Sequence, residues 1–220
     1  MEQLPNHIVM KLLVGKVKPF SKAGSLHIPS AIDKQPVNEL TVSTEAIATD
    51  ENTGNLVHGG PNRVVHHIPF EGYAKMAAEL GAKVDAARLT SGGMGENVST
   101  TGLSNHDVCI GDIIAFGTAV LQVCQPRMPC WKLNHRFKFQ KASQFIETHR
   151  LCGWFYRVLT PGSFSVGDRL VLKTRPHPHL SVCTSMIALQ FAALALTPSL
   201  TRTVSHGGFC ACRCTTCTAC

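Results

Sequence analysis

The chain has 220 residues, 44% hydrophobic and 16% charged, which is the balance of a globular domain of ordinary size and not of a disordered chain. Its formal charge of +7 would suit a nucleic-acid binder, but residues 1–168 hold sixteen basic against fourteen acidic residues, and residues 169–220 hold five basic and no acidic ones. The basic excess belongs to the end of the chain, so no nucleic-acid polymer is expected as a partner.

The N-terminal MEQLPNHIVMKLLVGKV has an early Glu and a Pro, with no basic n-region or small-residue cleavage site. It is not expected to be an export signal. IVMKLLVGKV and ELTVS run apolar or alternate in strand fashion. FEGYAKMAAELG predicts a short helix with Tyr73, Met76, Ala77 and Leu80 on one face and Gly81 as its C-cap. A glycine-rich break, SGGMGEN, follows. HDVCIGDIIAFGTAVLQVCQP reads as two or three strands, KASQFIETHRL as a second helix, and GWFYRVLTPGSFSVGDRLVLK as a hairpin. VCIGDIIAFG and FSVGDRLVLK share a Gly-Asp corner, where glycine allows the bend and Asp can bond back to the backbone. The pattern predicts a mainly β (α+β) domain, a β-barrel with a few peripheral helices.

After HPHLSV one more helix is expected, and then TPSLTRTVSHGGFCACRCTTCTAC, which has no periodicity. The apolar run MIALQFAALALTP is too short to span a bilayer. The domain is set at residues 10–182, with 183–220 a divergent tail of one helix and a disordered Cys-rich segment. Cys210, Cys212, Cys214, Cys217 and Cys220 are spaced densely enough to bind Zn²⁺ or Cu(I). The tail also reads as the product of a shifted reading frame, which its lack of acidic residues favours. Cys109, Cys124, Cys130 and Cys152 lie in the body without the spacing of a disulfide framework, so a reducing cytoplasm is the expected location.

Three stretches carry candidate chemistry. In PRMPCWK, prolines on either side of Arg127 predict a rigid extended loop. Arg127 and Lys132 would favour a thiolate at Cys130, suited to a soft metal or an electrophile, although a buried cysteine of no special role fits the same letters. In LVHGGPNRVVHH, His58, Gly59 and Gly60 form a tight turn whose N–H groups could approach an anion, Arg63 could clamp a phosphate, and His66 or His67 could donate a proton. A plain β-turn followed by a strand is the alternative. In GMGENVS, Glu96 and Asn97 offer an acceptor and an amide, or a structural cap. No Walker A loop, dinucleotide G-x-G-x-x-G or G-x-S-x-G elbow is present.

Taken in order, VHGGPNRVVHH, GENVSTTGL, VCIGDIIAFGTAVLQVCQPRMPCWKL and GWFYRVLTPGSFSVGDRLVL resemble the MOSC domain family, named for the C-terminus of molybdenum cofactor sulfurase, in its stand-alone bacterial YiiM-like branch. The resemblance implies a MOSC-type β-barrel, a molybdopterin-type molybdenum cofactor with Cys130 as the metal's protein ligand, and reduction of N-hydroxylated substrates such as purine bases, a detoxifying activity. The pterin phosphate would then fall to His58, Gly59, Gly60, Arg63, Asn97, Arg127 and Lys132. His58 and Glu96 are assigned on chemical grounds as the acids for N–O cleavage, with Cys130 as the third catalytic residue. Electrons would come from a separate reductase, no membrane partner is expected, and a homodimer is compatible with this reading. The usual glycine-aspartate element upstream of HGGP is replaced by EAIATDENTGN, which keeps only Asp50. A rival function is a non-redox carrier of the cofactor or of sulfur on Cys130; a weaker one is a metal-binding tail. On all but the last, Cys109, Cys124 and Cys152 are expected to be replaceable.

Overall fold

Apolar and β-branched residues at alternating positions lay strands along the body, in a computed structural model that describes residues 8–22, 26–53 and 59–196. The strands are β1 (Ile8–Gly15), β2 (Lys18–Lys22), β3 (Leu26–Ser30), β4 (Lys34–Val37), β5 (Glu39–Val42), β6 (Val65–Pro69), β7 (Val98–Thr101), β8 (Ile113–Phe116), β9 (Ala119–Pro126), β10 (Trp154–Thr160), β11 (Gly162–Ser165) and β12 (Leu170–Thr174). The helices are α1 (Glu71–Leu80), α2 (Lys132–Arg136), α3 (Ala142–Thr148) and α4 (Val182–Leu196).

An eight-stranded sheet runs in the order β12-β8-β9-β10-β6-β7-β1-β4. β6 and β7 are parallel, joined by the crossover that contains α1, and the other neighbours in this sheet are antiparallel. The sheet curls until β1 reaches the start of β12: Ile8 bridges Arg169, the Val9 N–H donates to Asp168 O at 3.2 Å, and the Gly167 N–H donates to Val9 O at 3.1 Å. A barrel-like wall results, which limits the unpaired edge. The interior is filled by Leu12, Val65, Ile68, Val98, Phe116, Leu121, Trp154 and Tyr156, each fully buried. Phe116 stacks on Phe164 with centroids 3.9 Å apart. Each such aliphatic or phenyl side chain contributes roughly 1.5–3 kcal/mol of transfer free energy.

Both Gly-Asp corners have the expected form. Gly111 (φ 90) and Gly167 (φ 94) make the bends. Asp112 then accepts from the Cys109 N–H at 2.9 Å, and Asp168 from the Ser165 N–H at 2.8 Å.

Residues 153–173 do not form the expected hairpin. β10 pairs with β9 and β6, β11 leaves to pair with β5, and β12 joins β8. The turn chemistry was right, but pairing is decided by which apolar face each strand must bury. In α1, Tyr73, Met76 and Leu80 face inward as expected and Gly81 caps the helix by donating its N–H to Ala77 O. Ala77 itself is exposed, and Gly72 takes the inward place. The helix expected after HPHLSV is α4, which buries Val182, Cys183 and Met186 while Phe191 stays 68% exposed. No described helix is long and apolar enough to cross a membrane. The tail cysteines from Cys210 onward lie outside the described residues.

Candidate functional site

Two prolines and one strand end position Cys130. Pro126 is the last residue of β9, opposite Trp154, a strand-end place where its missing N–H breaks no central ladder. The expected loop therefore begins one residue later, at Arg127, whose N–H donates to Gly153 O at 3.0 Å. At its far end the Cys130 carbonyl accepts from the Leu133 N–H at 3.0 Å and starts α2, a helix not anticipated from the sequence. The thiol is half-buried on the wall of a cavity of about 140 Å³, shared with Lys34, Asp50, Arg63, His66, Asn97, Arg127, Lys132 and Phe155.

The wall is rich in cations. Arg127 is half-buried, and among the described residues its guanidinium has one partner, Cys152 Sγ, 2.7 Å from Nη1, and no carboxylate. Lys132 is 7% exposed; its Nζ donates to Pro29 O at 3.2 Å and lies 5.9 Å from the Phe20 ring centroid. Burial lowers its pKa from the usual lysine value, opposed by the nearby Cys130. Phe20 also packs edge-on against Trp131, centroids 6.0 Å apart, so the β2–β3 ribbon braces the cysteine loop from outside. Arg63 ends the short 3₁₀ turn Pro61–Arg63 and lines the cavity. Gly60, at φ 101, permits that turn and accepts from the Arg63 N–H at 3.0 Å. Gly59 and Gly60 shape the approach to Arg63 without lining the cavity. His58 lies outside the described residues.

The same cavity is also lined by a buried polar chain. Asp50 accepts two bonds from Lys34 Nζ, at 2.5 and 2.6 Å, one from the Gly15 N–H at 2.5 Å, and one from Asn97 Nδ2 at 2.8 Å. Asn97 also donates to Leu13 O and accepts from the His66 N–H at 3.1 Å. Burial lowers the Lys34 pKa and Asp50 opposes the shift. His66 places Nε2 2.9 Å from Cys152 O; burial, reinforced by Arg127, holds its pKa well below the usual histidine value, so the ring is neutral at pH 7 and Nε2 donates. His67 points elsewhere, to Tyr156 Oη at 3.0 Å and Thr100 Oγ1 at 2.8 Å, and belongs to the core.

The structure does not bring Glu96 into the cavity. Its carboxylate is fully buried, accepting from Tyr73 Oη at 2.8 and 2.9 Å and from the Gly92 N–H at 2.6 Å. Burial raises its pKa. These bonds tie α1 to the SGGMGEN turn, the structural use of the pair, while its neighbour Asn97 reaches the wall. Of the three body cysteines expected to be replaceable, Cys152 is the one that touches a residue lining the cavity, Arg127, whereas Cys124 accepts from Arg157 Nε at 2.8 Å. The sequence reading missed Lys34 and Phe155 as wall residues, and noticed Asp50 only as a relic of a motif. No local pattern marks Lys34, whereas Asp50 could have been found as an acid retained where a motif was otherwise lost.

Among the described residues no group of three or more His, Cys, Asp or Glu could hold a bare metal ion. One soft thiol amid cations fits a metal that arrives already held by an anionic organic ligand, leaving one coordination position for protein. It does not fit a tetrahedral zinc site.

The sequence profile of the MOSC domain matches residues 55–171. The chain is 38% identical over 162 residues to Protein YiiM of Escherichia coli (strain K12), covering 73% of this chain and 70% of that protein. It is also 38% identical over 178 residues to a reductase of Gibberella moniliformis (strain M3125 / FGSC 7600), covering 80% of this chain but only 31% of the reductase. The crystal structure of YiiM from Escherichia coli superposes with a TM-score of 0.67 at 27% identity, over 90% of this chain and 88% of that one. YiiM from Geobacillus stearothermophilus gives 0.66 at 28% identity, over 89% and 93%.

Proposed function

We propose that this chain, which belongs to the MOSC domain family, binds a molybdopterin-type molybdenum cofactor at the Cys130 cavity and reduces N-hydroxylated compounds such as N-hydroxylated purine bases. The observation that carries the reading is the pairing on one wall of a single accessible thiol with Arg127, a half-buried guanidinium that has no carboxylate partner among the described residues. Its direct partner is a thiol, and Cys152, Cys130 and Glu96 hold its charged form against burial, which leaves guanidinium donors for a phosphate accepted bidentately. Lys132 and Arg63 add charge to the same cavity, and the Lys34–Asp50 ion pair and Asn97 complete its polar lining.

When bound, the cofactor would supply the two-electron chemistry. The chain's own part is to hold the metal through Cys130 Sγ, to fix the phosphate, and to deliver protons. Converting R–NH–OH to R–NH₂ and water consumes two electrons and two protons. Lys132 Nζ is the wall group suited to give one, because burial makes it a better acid than an exposed lysine. His58 is proposed as the second donor. Glu96 is not retained in that role. The electrons are proposed to come from a separate reductase; the Gibberella moniliformis relative, named a reductase, extends well beyond the part matched here.

The test is molybdenum and pterin content of protein purified from a host that makes the cofactor. Wild type should carry near-stoichiometric molybdenum and Cys130→Ala little or none, with Cys109→Ala and Cys124→Ala unchanged. Molybdenum retained at wild-type level in Cys130→Ala would refute the ligand assignment. Loaded protein that fails to reduce 6-hydroxylaminopurine with a chemical donor would leave the cofactor site standing and refute the substrate.

A further inference from the structure

A second cavity, of about 240 Å³, shares no lining residue with the first. It lies where β6 gives way to α1 and where α3 runs out into Arg150 and Leu151, with Leu103 and Leu151 among its walls. Arg150 lines it in an unusual posture. Its φ of 55 lies in the left-handed region, which a non-glycine residue keeps only when its surroundings enforce it. Those surroundings are visible: the Arg150 N–H donates to Glu147 O at 3.0 Å, and its carbonyl accepts from Asn105 Nδ2. The side chain is then left over. Among the described residues the guanidinium has no carboxylate partner, its Nε is buried without an acceptor, and Asn105 Oδ1 beside the same cavity is buried without a donor.

The other charges on this wall are committed. Lys75 and His149 both face Glu79, and the Glu71 carboxylate accepts from the Gly102 N–H at 2.6 Å. The adjacent first turn of α1 contributes Gly72 to the cavity; it holds Glu71 and has its Tyr73 N–H bonded to Phe70 O at 2.9 Å, so the attraction for an anion rests on Arg150. An apolar cavity of about 150 Å³ accepts a benzene ring, so the space here admits a ring and a carboxylate together.

We propose that this second cavity is a binding site for a small organic monoanion with a planar apolar body, its carboxylate on the Arg150 guanidinium and its ring against Leu103 and Leu151. This site is independent of the cofactor reading and of Cys130. The full-length ¹⁵N-labelled protein is titrated with benzoate and, separately, with benzyl alcohol, following the Gly72 and Leu103 amides. Benzoate should give saturable shifts there, with benzyl alcohol weaker by about tenfold or more, the loss of one charge-assisted pair. Arg150→Gly removes the cation yet suits the φ of 55, so the fold is kept; benzoate affinity should fall by a similar factor. The proposal is overturned by equal affinity for the two probes, by unchanged benzoate affinity in Arg150→Gly, or by the absence of a saturable response at these amides.

Discussion

Asp50→Asn removes one charge from a pair that water scarcely reaches. The Lys34 and Asp50 side chains are 6% and 12% exposed, and the ammonium meets the carboxylate at 2.5 and 2.6 Å. Breaking a buried pair by deleting one partner costs about 3–5 kcal/mol, because the survivor stays charged in a poor solvent. Lys34 has an escape: burial already lowers its pKa, and without Asp50 it falls further, so the ammonium can shed its proton. We therefore expect the lower end, about 3 kcal/mol at pH 7. Lys34→Met added to Asp50→Asn should recover most of this, leaving about 1 kcal/mol for weakened bonds to Gly15 and Asn97. Lys34→Met is thus expected to rescue about 2 kcal/mol in the Asp50→Asn background. Urea unfolding, followed by the fluorescence of the fully buried Trp154, gives each value. The pH dependence is a second check. In Asp50→Asn the unfolded chain binds the Lys34 proton more tightly than the native one. Stability should thus rise as pH climbs toward the unfolded value of about 10.4, more steeply than in wild type. A double variant as unstable as the single one, with no added pH slope, would refute the claim that the buried ammonium is the source of the loss.

Arg127→Met should lower pterin content while changing the stability of cofactor-free protein by less than about 1 kcal/mol in the same assay, since burial opposes the cation and Cys152, Cys130 and Glu96 favour it; unchanged pterin content would refute its role in holding the phosphate. The buried neutral His66 should make the protein acid-labile. Because its native pKa is depressed and the unfolded ring titrates near the usual value, stability is lost as pH falls below about 6.5, by up to about 1.4 kcal/mol per pH unit. His66→Gln should remove that part of the slope, and an unchanged slope would assign it to another group. A Cβ added at Gly153, where φ is +67, would lie 1.9 Å from His67 O. Gly153→Ala should therefore cost about 3 kcal/mol or more in thermal unfolding, and a change under 1 kcal/mol would mean that the strand pair there can yield.

What could be read without the structure was local. Cys130, Arg127 and Lys132 fall within one loop whose prolines announce it, and the Gly-Asp corners repeat a pattern whose geometry is set by glycine and its neighbour alone. What could not be read depended on distance along the chain. Lys34 and Asp50 are sixteen residues apart, and Phe155 reaches the cavity only because β10 lies against β9 and β6. Glu96 was misassigned for a related reason. Its identity and its glycine neighbours suggested an acid in a mobile turn, but the direction of its side chain is set by Tyr73 from another element. The start of α2 was legible and overlooked: Leu133 and Phe137, four apart and both fully buried, are the helical signal inside WKLNHRF.

The first cavity borrows its walls from residues 30–34, 50–53, 63–66, 94–97, 127–132 and 155. No contiguous stretch carries even half a site, so the loop-closure entropy of the whole curled sheet must be met before any ligand can gain a foothold. Binding energy gained there is consequently shared by every strand that frames it. A ligand present at a thousandfold its dissociation constant adds about 4 kcal/mol to global unfolding. Loaded and empty molecules should then melt as two separate populations, so one thermal scan would read out how much of a preparation is filled.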